Sequence, residues 1–125
     1  MIDSYVRYKK DFDEFEAYYF DTRNQARKES NIEVRIVILE DLIAKTTEFE
    51  HFCKERGLSK DFNDFYKSVP SSKGKRNLIK EDKEELKRCK LLQKLLKKLH
   101  KLNVPELEDV SAFVNQLKNQ NRHSV

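Results

Sequence analysis

Glycine and proline are scarce in this chain, with two residues of each among 125. A sheet protein with many tight turns would need more of both, because these residues adopt the backbone angles that such turns require. Gly57 and Gly74 also stand far apart, which excludes a glycine-rich loop of the kind that cradles phosphates. The composition therefore predicts a helical protein.

Long apolar runs are also missing. No stretch approaches 18 consecutive apolar residues, so we predict no transmembrane span and no membrane partner. The first residues show no basic region followed by an apolar one, as a secretory signal would. Cys53 and Cys89 lie in helical patterns and do not form the spacing of a disulfide framework. We therefore expect reduced, buried thiols in an intracellular protein, either cytoplasmic or nuclear.

Residues that carry catalysis or bind metals are few. His51 and Cys53 are two positions apart on a predicted helix and point to different faces. Cys89 and His100 share a face but are separated by roughly 16 Å along the helix axis, too far for one ion. The acidic residues single out no acid–base pair, and neither cysteine has a nearby base in sequence. We predict no metal, no cofactor and no enzymatic activity.

Apolar residues recur at helical spacing along most of the chain. The predicted helices cover 3–29, 30–56, a short segment from Ser59 to before Pro70, 78–102 and a last helix after residue 103. We predict an all-α fold, a single-domain bundle of four to five helices over 1–119 with a long N-terminal helical hairpin and a frayed tail over 120–125. The last helix is expected to direct its apolar residues inward: Leu107, Val110, Phe113, Val114 and Leu117.

Capping residues mark the predicted helix boundaries. The second helix begins with a capping box, Ser30 at the N-cap and Glu33 three positions later. Gly57 follows this helix at the C′ position, and Asn103 caps the last helix together with Glu106. Asp3 or Ser4 is expected to cap the first helix, and Ser59 the third.

Two segments allow other interpretations. Residues 32–38 alternate in polarity and are rich in β-branched side chains, which is typical of a strand. We favour a helix there because no second strand is predicted elsewhere for it to pair with. Residues 69–77 are expected to form a basic loop between the third and fourth helices, and this loop is the expected site of disorder or proteolysis.

Charge is distributed unevenly. Residues 71–101 contain twelve basic and four acidic side chains, a net charge of +8, which leaves −4 for the rest of the chain. Within this segment five lysines are spaced by three or four residues and form one helical face, roughly 21 Å long, opposite a seam of leucines. We call this face the lysine ridge: Lys87, Lys90, Lys94, Lys97 and Lys101.

The lysine ridge can be interpreted in three ways. A soluble bundle needs a solvated outer face, and a row of lysines supplies one. An acidic protein partner could bind it. Nucleic acid could also bind it through phosphates, with Lys73, Lys75 and Arg76 extending the patch formed by Lys90, Lys94 and Lys97. The acidic run 81–85 adjoins the ridge and opposes this last interpretation.

Aromatic residues cluster near the N-terminus, where seven of the thirteen lie within the first twenty residues. Acidic neighbours surround them, which disfavours contact with a phosphate backbone. The stripe is therefore expected to form core or a protein-binding seam, since tyrosine combines an apolar ring with a polar hydroxyl. Tyr5 and Tyr8 are the members that we expect to contact a partner.

Together these features predict a non-catalytic intracellular protein-binding module, such as an adaptor, an inhibitor or a regulatory subunit, that acts through helix faces. Its candidate partner-binding residues are Tyr5, Tyr8 and the lysine ridge. The alternative is a nucleic-acid-binding accessory protein that uses the basic segment 73–101. A homodimer is a further expectation, because two long helices present more apolar surface than a small bundle covers.

Overall fold

The computed structural model describes residues 4–123 and shows an all-α protein with one small β-hairpin, which confirms the predicted helical bundle. In chain order the described elements are α1 (Ser4–Arg7), α2 (Lys9–Lys28), α3 (Ile32–Glu55), α4 (Ser59–Tyr66), β1 (Val69–Ser71), β2 (Gly74–Arg76), α5 (Leu78–Leu99) and α6 (Val104–His123). The chain divides into two compact units, of which the first ends at Leu91 and the second begins at Leu92.

The first predicted helix is divided in two. Tyr8 separates α1 from α2 with φ −109° and ψ 17°, which lie outside the helical range. The Tyr8 N–H donates to the Tyr5 carbonyl at 3.1 Å, which continues the chain through a tight turn into α2. Helices α2 and α3 then pack as the predicted hairpin. Asp3, one of the two predicted caps, lies outside the described residues.

Residues 32–38 are helical, which confirms the preferred interpretation of this segment. The predicted cap is wrong by one residue, because the N-cap is Asn31 and not Ser30. The Asn31 Oδ1 accepts hydrogen bonds from the N–H groups of Glu33 at 3.0 Å and Val34 at 3.2 Å. An asparagine oxygen reaches two free N–H groups from this position, so Ser30 is left outside the helix.

Helix α3 ends at the predicted glycine. Gly57 has φ +71°, the left-handed conformation that glycine adopts without strain. The N–H of Leu58 donates to the Cys53 carbonyl at 2.8 Å, and the N–H of Gly57 donates to the Lys54 carbonyl at 3.3 Å. These two bonds define a Schellman motif. Ser59 is the first residue of α4 and not its cap, because the buried Leu58 directly precedes the helix.

The segment 69–77, predicted as a loop, contains a short antiparallel hairpin. Strands β1 and β2 pair Val69 with Arg76 and Ser71 with Gly74. Gly74 has φ +112°, and the Ser71 hydroxyl donates to its carbonyl at 2.9 Å. Each strand has only three residues, too few for the alternating pattern from which a strand is predicted.

The core of the first unit consists of two buried clusters in which α2, α3 and the start of α5 meet. The larger cluster contains Phe12, Tyr19, Leu42, Cys53, Leu58, Phe62, Tyr66, Leu78 and Ile79. The smaller cluster contains Ala26, Ile36, Leu39 and Cys89. The first half of α5 is therefore anchored to the N-terminal hairpin.

In the second unit, the N-terminus of α6 matches the prediction. The Asn103 N–H donates to Glu106 Oε1, and the Glu106 N–H donates to Asn103 Oδ1, both at 3.0 Å. This reciprocal pair is a capping box. Helix α6 extends to His123, and the fraying expected from residue 120 stays a prediction. Residues 124–125 of the predicted tail lie outside the described residues.

The apolar side chains of α6 do not point into a core, contrary to the prediction. Leu107, Phe113, Val114 and Leu117 are exposed by 40%, 59%, 43% and 43%, and Val110 is half-buried. Helical periodicity reveals that one face of a helix is apolar, but it does not identify what covers that face. No described side chain between residues 104 and 120 is buried.

Candidate functional site

Tyr5 and Tyr8, the two aromatic partner-binding candidates, are half-buried at one end of the first unit. The Tyr5 ring lies 5.3 Å from the ring of Phe12, and the Tyr8 ring meets the Phe52 ring edge-on at 5.8 Å. The Arg56 guanidinium lies 5.7 Å from the Tyr8 ring. Both tyrosines thus pack on the core and keep part of their surface exposed, and their contact with a partner stays a prediction.

An open groove of about 450 Å³ runs between α2 and α3 beside these tyrosines. Its walls carry Phe15, Tyr18, Phe49 and Phe52, all of them partly exposed. The rings of Phe15 and Phe49 stack at 4.3 Å, and those of Phe49 and Phe52 stack at 5.6 Å, both at 12°. Three nearly parallel rings therefore form a continuous apolar row, and we call this site the aromatic groove.

Charged side chains rim the aromatic groove, with three carboxylates and one cation: Asp11, Glu14, Glu48 and Lys45. At one edge the Tyr18 hydroxyl donates to Asp41 Oδ2 at 2.8 Å. Burial and this bond to a carboxylate raise the pKa of Tyr18 to about 12, so its hydroxyl keeps its proton at neutral pH. The groove combines an apolar aromatic wall with a predominantly acidic rim, a combination that suits a cation on an apolar stem.

The five lysines of the lysine ridge are all exposed. Lys87 and Lys90 belong to the first unit, and the other three belong to the second. The Lys90 ammonium lies 3.8 Å from Glu40 on α3, a solvent-exposed ion pair of small energetic value. Four of the five lysines form no ion pair within residues 4–123. Their charge therefore remains available to an acidic surface.

The additional candidates for phosphate binding lie on the β-hairpin and differ in their surroundings. Lys73 and Lys75 are exposed at the turn and on β2. Arg76 instead donates to both carboxylate oxygens of Glu81, with its Nε at 3.0 Å from Oε2. A bidentate pair of this kind occupies the guanidinium. The predicted phosphate patch therefore retains its lysines but loses its one arginine.

A buried polar network connects α2 to α5 and was missed by the sequence analysis. Asp82 is buried and accepts two hydrogen bonds, one from the Tyr19 hydroxyl and one from the Arg23 Nε at 2.8 Å. Arg23 also donates to Glu81 at 3.0 Å. Glu81 thereby joins Arg23 and Arg76 in one chain of ion pairs. Burial and the bond to Asp82 raise the pKa of Tyr19, so this hydroxyl acts as a permanent donor.

Sequence spacing contains a signal for this network. Ile79, Asp82, Leu86 and Cys89 follow one another at steps of three, four and three, so Asp82 lies on the buried face of α5. In the sequence Asp82 is noticeable only as a member of the acidic run 81–85 that adjoins the lysine ridge. A charged residue at a core position of a helix predicts a buried partner, here Arg23.

Both cysteines are free, and no part of either is exposed to solvent. Burial raises the pKa of the Cys53 thiol to about 12, and it also raises the pKa of the Cys89 thiol. A protonated, inaccessible thiol is a poor nucleophile and a poor metal ligand. These two residues act as small apolar side chains in the core.

Two negative findings concern residues 4–123, and a third concerns the comparison with known proteins. Between Ser4 and His123, every helix is too short or too polar to cross a lipid bilayer. In that part of the chain no three His, Cys, Asp or Glu side chains come together in a way that could hold a metal ion. No protein-family model, curated protein or solved structure matches the chain significantly.

Proposed function

We propose that the chain is a non-catalytic protein-binding module that works inside the cell and contacts its partner through helix faces. The observation that carries the proposal is the exposed apolar face of α6. Its largest members, Leu107, Phe113, Val114 and Leu117, are exposed by at least 40%, on one helix and at helical spacing. Contiguous apolar surface of this kind marks interaction sites in soluble proteins.

The charged residues support the same proposal. The lysine ridge offers exposed cations that an acidic partner surface can meet, and such charges at the rim of an interface accelerate association. Tyr5 and Tyr8 add half-exposed rings, a favoured residue type at interfaces. The buried free thiols fit a reducing compartment, where disulfides are rare.

Affinity capture with a photo-crosslinker at the α6 face tests the proposal. The full chain carries the crosslinker at Val114 and is introduced into its native cell, with and without nuclease treatment of the lysate. We expect defined crosslinked proteins that survive nuclease. The double variant Phe113→Ala/Leu117→Ala should lose most of the crosslinking, because it removes one aromatic and one aliphatic anchor of the face.

The matched control is Asn115→Ala/Asn119→Ala, which alters exposed polar side chains of the same helix. It should crosslink as the unsubstituted chain does, and both variants should keep the same circular dichroism. A set of crosslinked proteins that is identical in the two variants would exclude α6 as the docking face. Crosslinks that disappear with nuclease would exclude a direct protein partner.

A second candidate function is nucleic-acid binding through the basic segment 73–101. It is supported by the exposed lysines that form no ion pair within the described chain, Lys73, Lys75, Lys94 and Lys97. It is opposed by the pairing of Arg76 with Glu81. Binding to duplex DNA or RNA should weaken steeply as salt rises, because phosphate contacts release counterions. Affinity that survives about 0.5 M salt would exclude this function.

A further inference from the structure

Two uncovered surfaces of this chain carry opposite charge. Residues 9–55 contain twelve acidic and eight basic side chains, whereas residues 86–103 contain seven basic and no acidic side chains. The first range carries the aromatic groove with its three rim carboxylates. The second range carries exposed leucines among its lysines. The acidic surface of one copy is therefore complementary in charge to the basic surface of a second copy.

The basic surface is the run Lys94–Lys98, which we call the leucine–lysine segment. Leu95 and Leu96 are large apolar residues of α5, and they are exposed by 52% and 46%. All three lysines of the segment are exposed and form no ion pair within residues 4–123. Lys94, Lys97 and Lys98 share one face of the helix, opposite Leu95 and Leu96, so the segment presents three cations on long apolar stems.

The last ring of the aromatic row already contacts one cation. The Arg56 guanidinium carbon lies 3.8 Å from the centre of the Phe52 ring, at one end of the aromatic row. This contact is a cation–π interaction within the chain. Beyond it, the Phe15 and Phe49 rings remain partly exposed, and the carboxylates of Asp11 and Glu48 form no ion pair within the described residues. The rest of the row can therefore take apolar groups, and the rim carboxylates can take cations.

We propose that a second copy of the chain seats its leucine–lysine segment in the aromatic groove through the lysine face, with the apolar stems of Lys94, Lys97 and Lys98 on the aromatic row and their ammonium groups beside the rim carboxylates. The groove follows α2 from Asp11 to Tyr18, about 10 Å, and the segment covers about 6 Å of helix, so the segment fits within it. If each copy offers its segment to the other, a two-fold axis closes the assembly as a dimer.

This inference goes beyond the proposed function, which concerns the α6 face and a different protein. A chain that stays monomeric leaves docking at α6 intact. A failure of crosslinking at α6 leaves self-association intact.

Sedimentation equilibrium of the full chain with charge-swapped variants tests the dimer. The groove variant is Glu14→Lys/Glu48→Lys, and the segment variant is Lys94→Glu/Lys97→Glu. We expect the unsubstituted chain to dimerise more weakly at about 0.5 M than at about 0.05 M salt, because screening weakens the exposed charge pairs. Each variant alone should dissociate on the order of tenfold more readily, and an equimolar mixture of the two should form a heterodimer.

The control variant is Asp13→Lys, which reverses a charge on the opposite face of α2 and should dimerise as the unsubstituted chain does. Circular dichroism identifies any variant that fails to fold, and for such a variant the milder pair Glu48→Gln and Lys97→Gln replaces the reversal. A chain that is monomeric at every concentration overturns the proposal and leaves the groove to a basic segment of another protein. A dimer that neither variant weakens, or that mixing does not restore, also overturns it.

Discussion

At the scale of single residues, Asp82 is the most consequential polar group in the described structure. It is buried, it accepts a hydrogen bond from the Tyr19 hydroxyl, and it pairs with the Arg23 guanidinium at 2.8 Å. A buried ion pair contributes little net stability, since both charges lose their hydration. Removal of Asp82 is costly, because the buried Arg23 then keeps only the partly exposed Glu81 as a counterion. Asp82 thus specifies how α5 meets α2.

We predict that Asp82→Ala lowers the free energy of unfolding by about 3–5 kcal/mol, since Arg23 loses its buried counterion and Tyr19 its acceptor. Urea denaturation followed by circular dichroism measures this loss. Glu84→Ala removes an exposed carboxylate from the same helix and should change the free energy by less than about 0.5 kcal/mol. Equal effects of the two substitutions would show that the network does not hold α5 in place.

The Glu81 carboxylate gives a pH dependence of known sign. Hydrogen bonds from Arg76 and Arg23 lower its pKa in the folded state below the usual 4.5. A depressed folded pKa stabilises the protein above the unfolded value, and this stabilisation is lost as the pH falls through the folded value. We predict that the free energy of unfolding decreases below about pH 4.5 and that Glu81→Gln flattens this decrease.

Urea denaturation at a series of pH values from neutral to acid measures the slope. Glu81 is about one-third exposed, so solvent screens part of the effect and the change in slope is the informative quantity. Glu84→Gln serves as the comparison on the same helix. A variant at Glu81 that loses stability in acid as steeply as the unsubstituted chain would contradict the assigned pairing.

At the scale of elements, the ends of the helices are determined by a few residues that a sequence reveals well. Gly57 and the Asn103–Glu106 capping box were both predicted and are both present. The start of α3 was predicted one residue early, because Ser30 and Asn31 are both good caps and only the backbone shows which one reaches the free N–H groups. The β-hairpin was missed because each strand has three residues.

A prediction at this scale concerns Gly57, where the Schellman motif ends α3. The motif directs the chain so that Leu58 enters the core next to Cys53, and it requires a left-handed residue at position 57. Gly57→Ala should lower the free energy of unfolding by about 1–2 kcal/mol, and Gly57→Asn should cost less, because asparagine tolerates this conformation better. Thermal and urea unfolding of the two variants measure the difference. An alanine variant as stable as the unsubstituted chain would contradict this role.

At the scale of the whole molecule, composition and periodicity predicted the helical class but not what each helix face contacts. The aromatic stripe was predicted as core or as a protein-binding seam, and its members Phe12 and Tyr19 are buried, as is Leu39 on α3. The same pattern on α6 belongs to a helix whose apolar side chains are exposed. Periodicity reports only that a face is apolar. The cover of that face, whether core or partner, depends on contacts distant in sequence, which no local pattern encodes.

Every buried residue of the two core clusters lies at or before Cys89, so the first unit should not depend on α6 for its stability. Proline inside a helix removes a backbone hydrogen bond and costs about 3 kcal/mol. We predict that Ala112→Pro, in the middle of α6, reduces the helical signal but leaves the cooperative urea transition of the first unit unchanged. Ala44→Pro is the matched control, because Ala44 is also exposed but lies in the middle of α3, whose other faces pack in both core clusters. It should lower the transition midpoint strongly or abolish folding. If Ala112→Pro shifted the midpoint as far as Ala44→Pro does, α6 would be part of the cooperative core, and its apolar face would not be free for a partner.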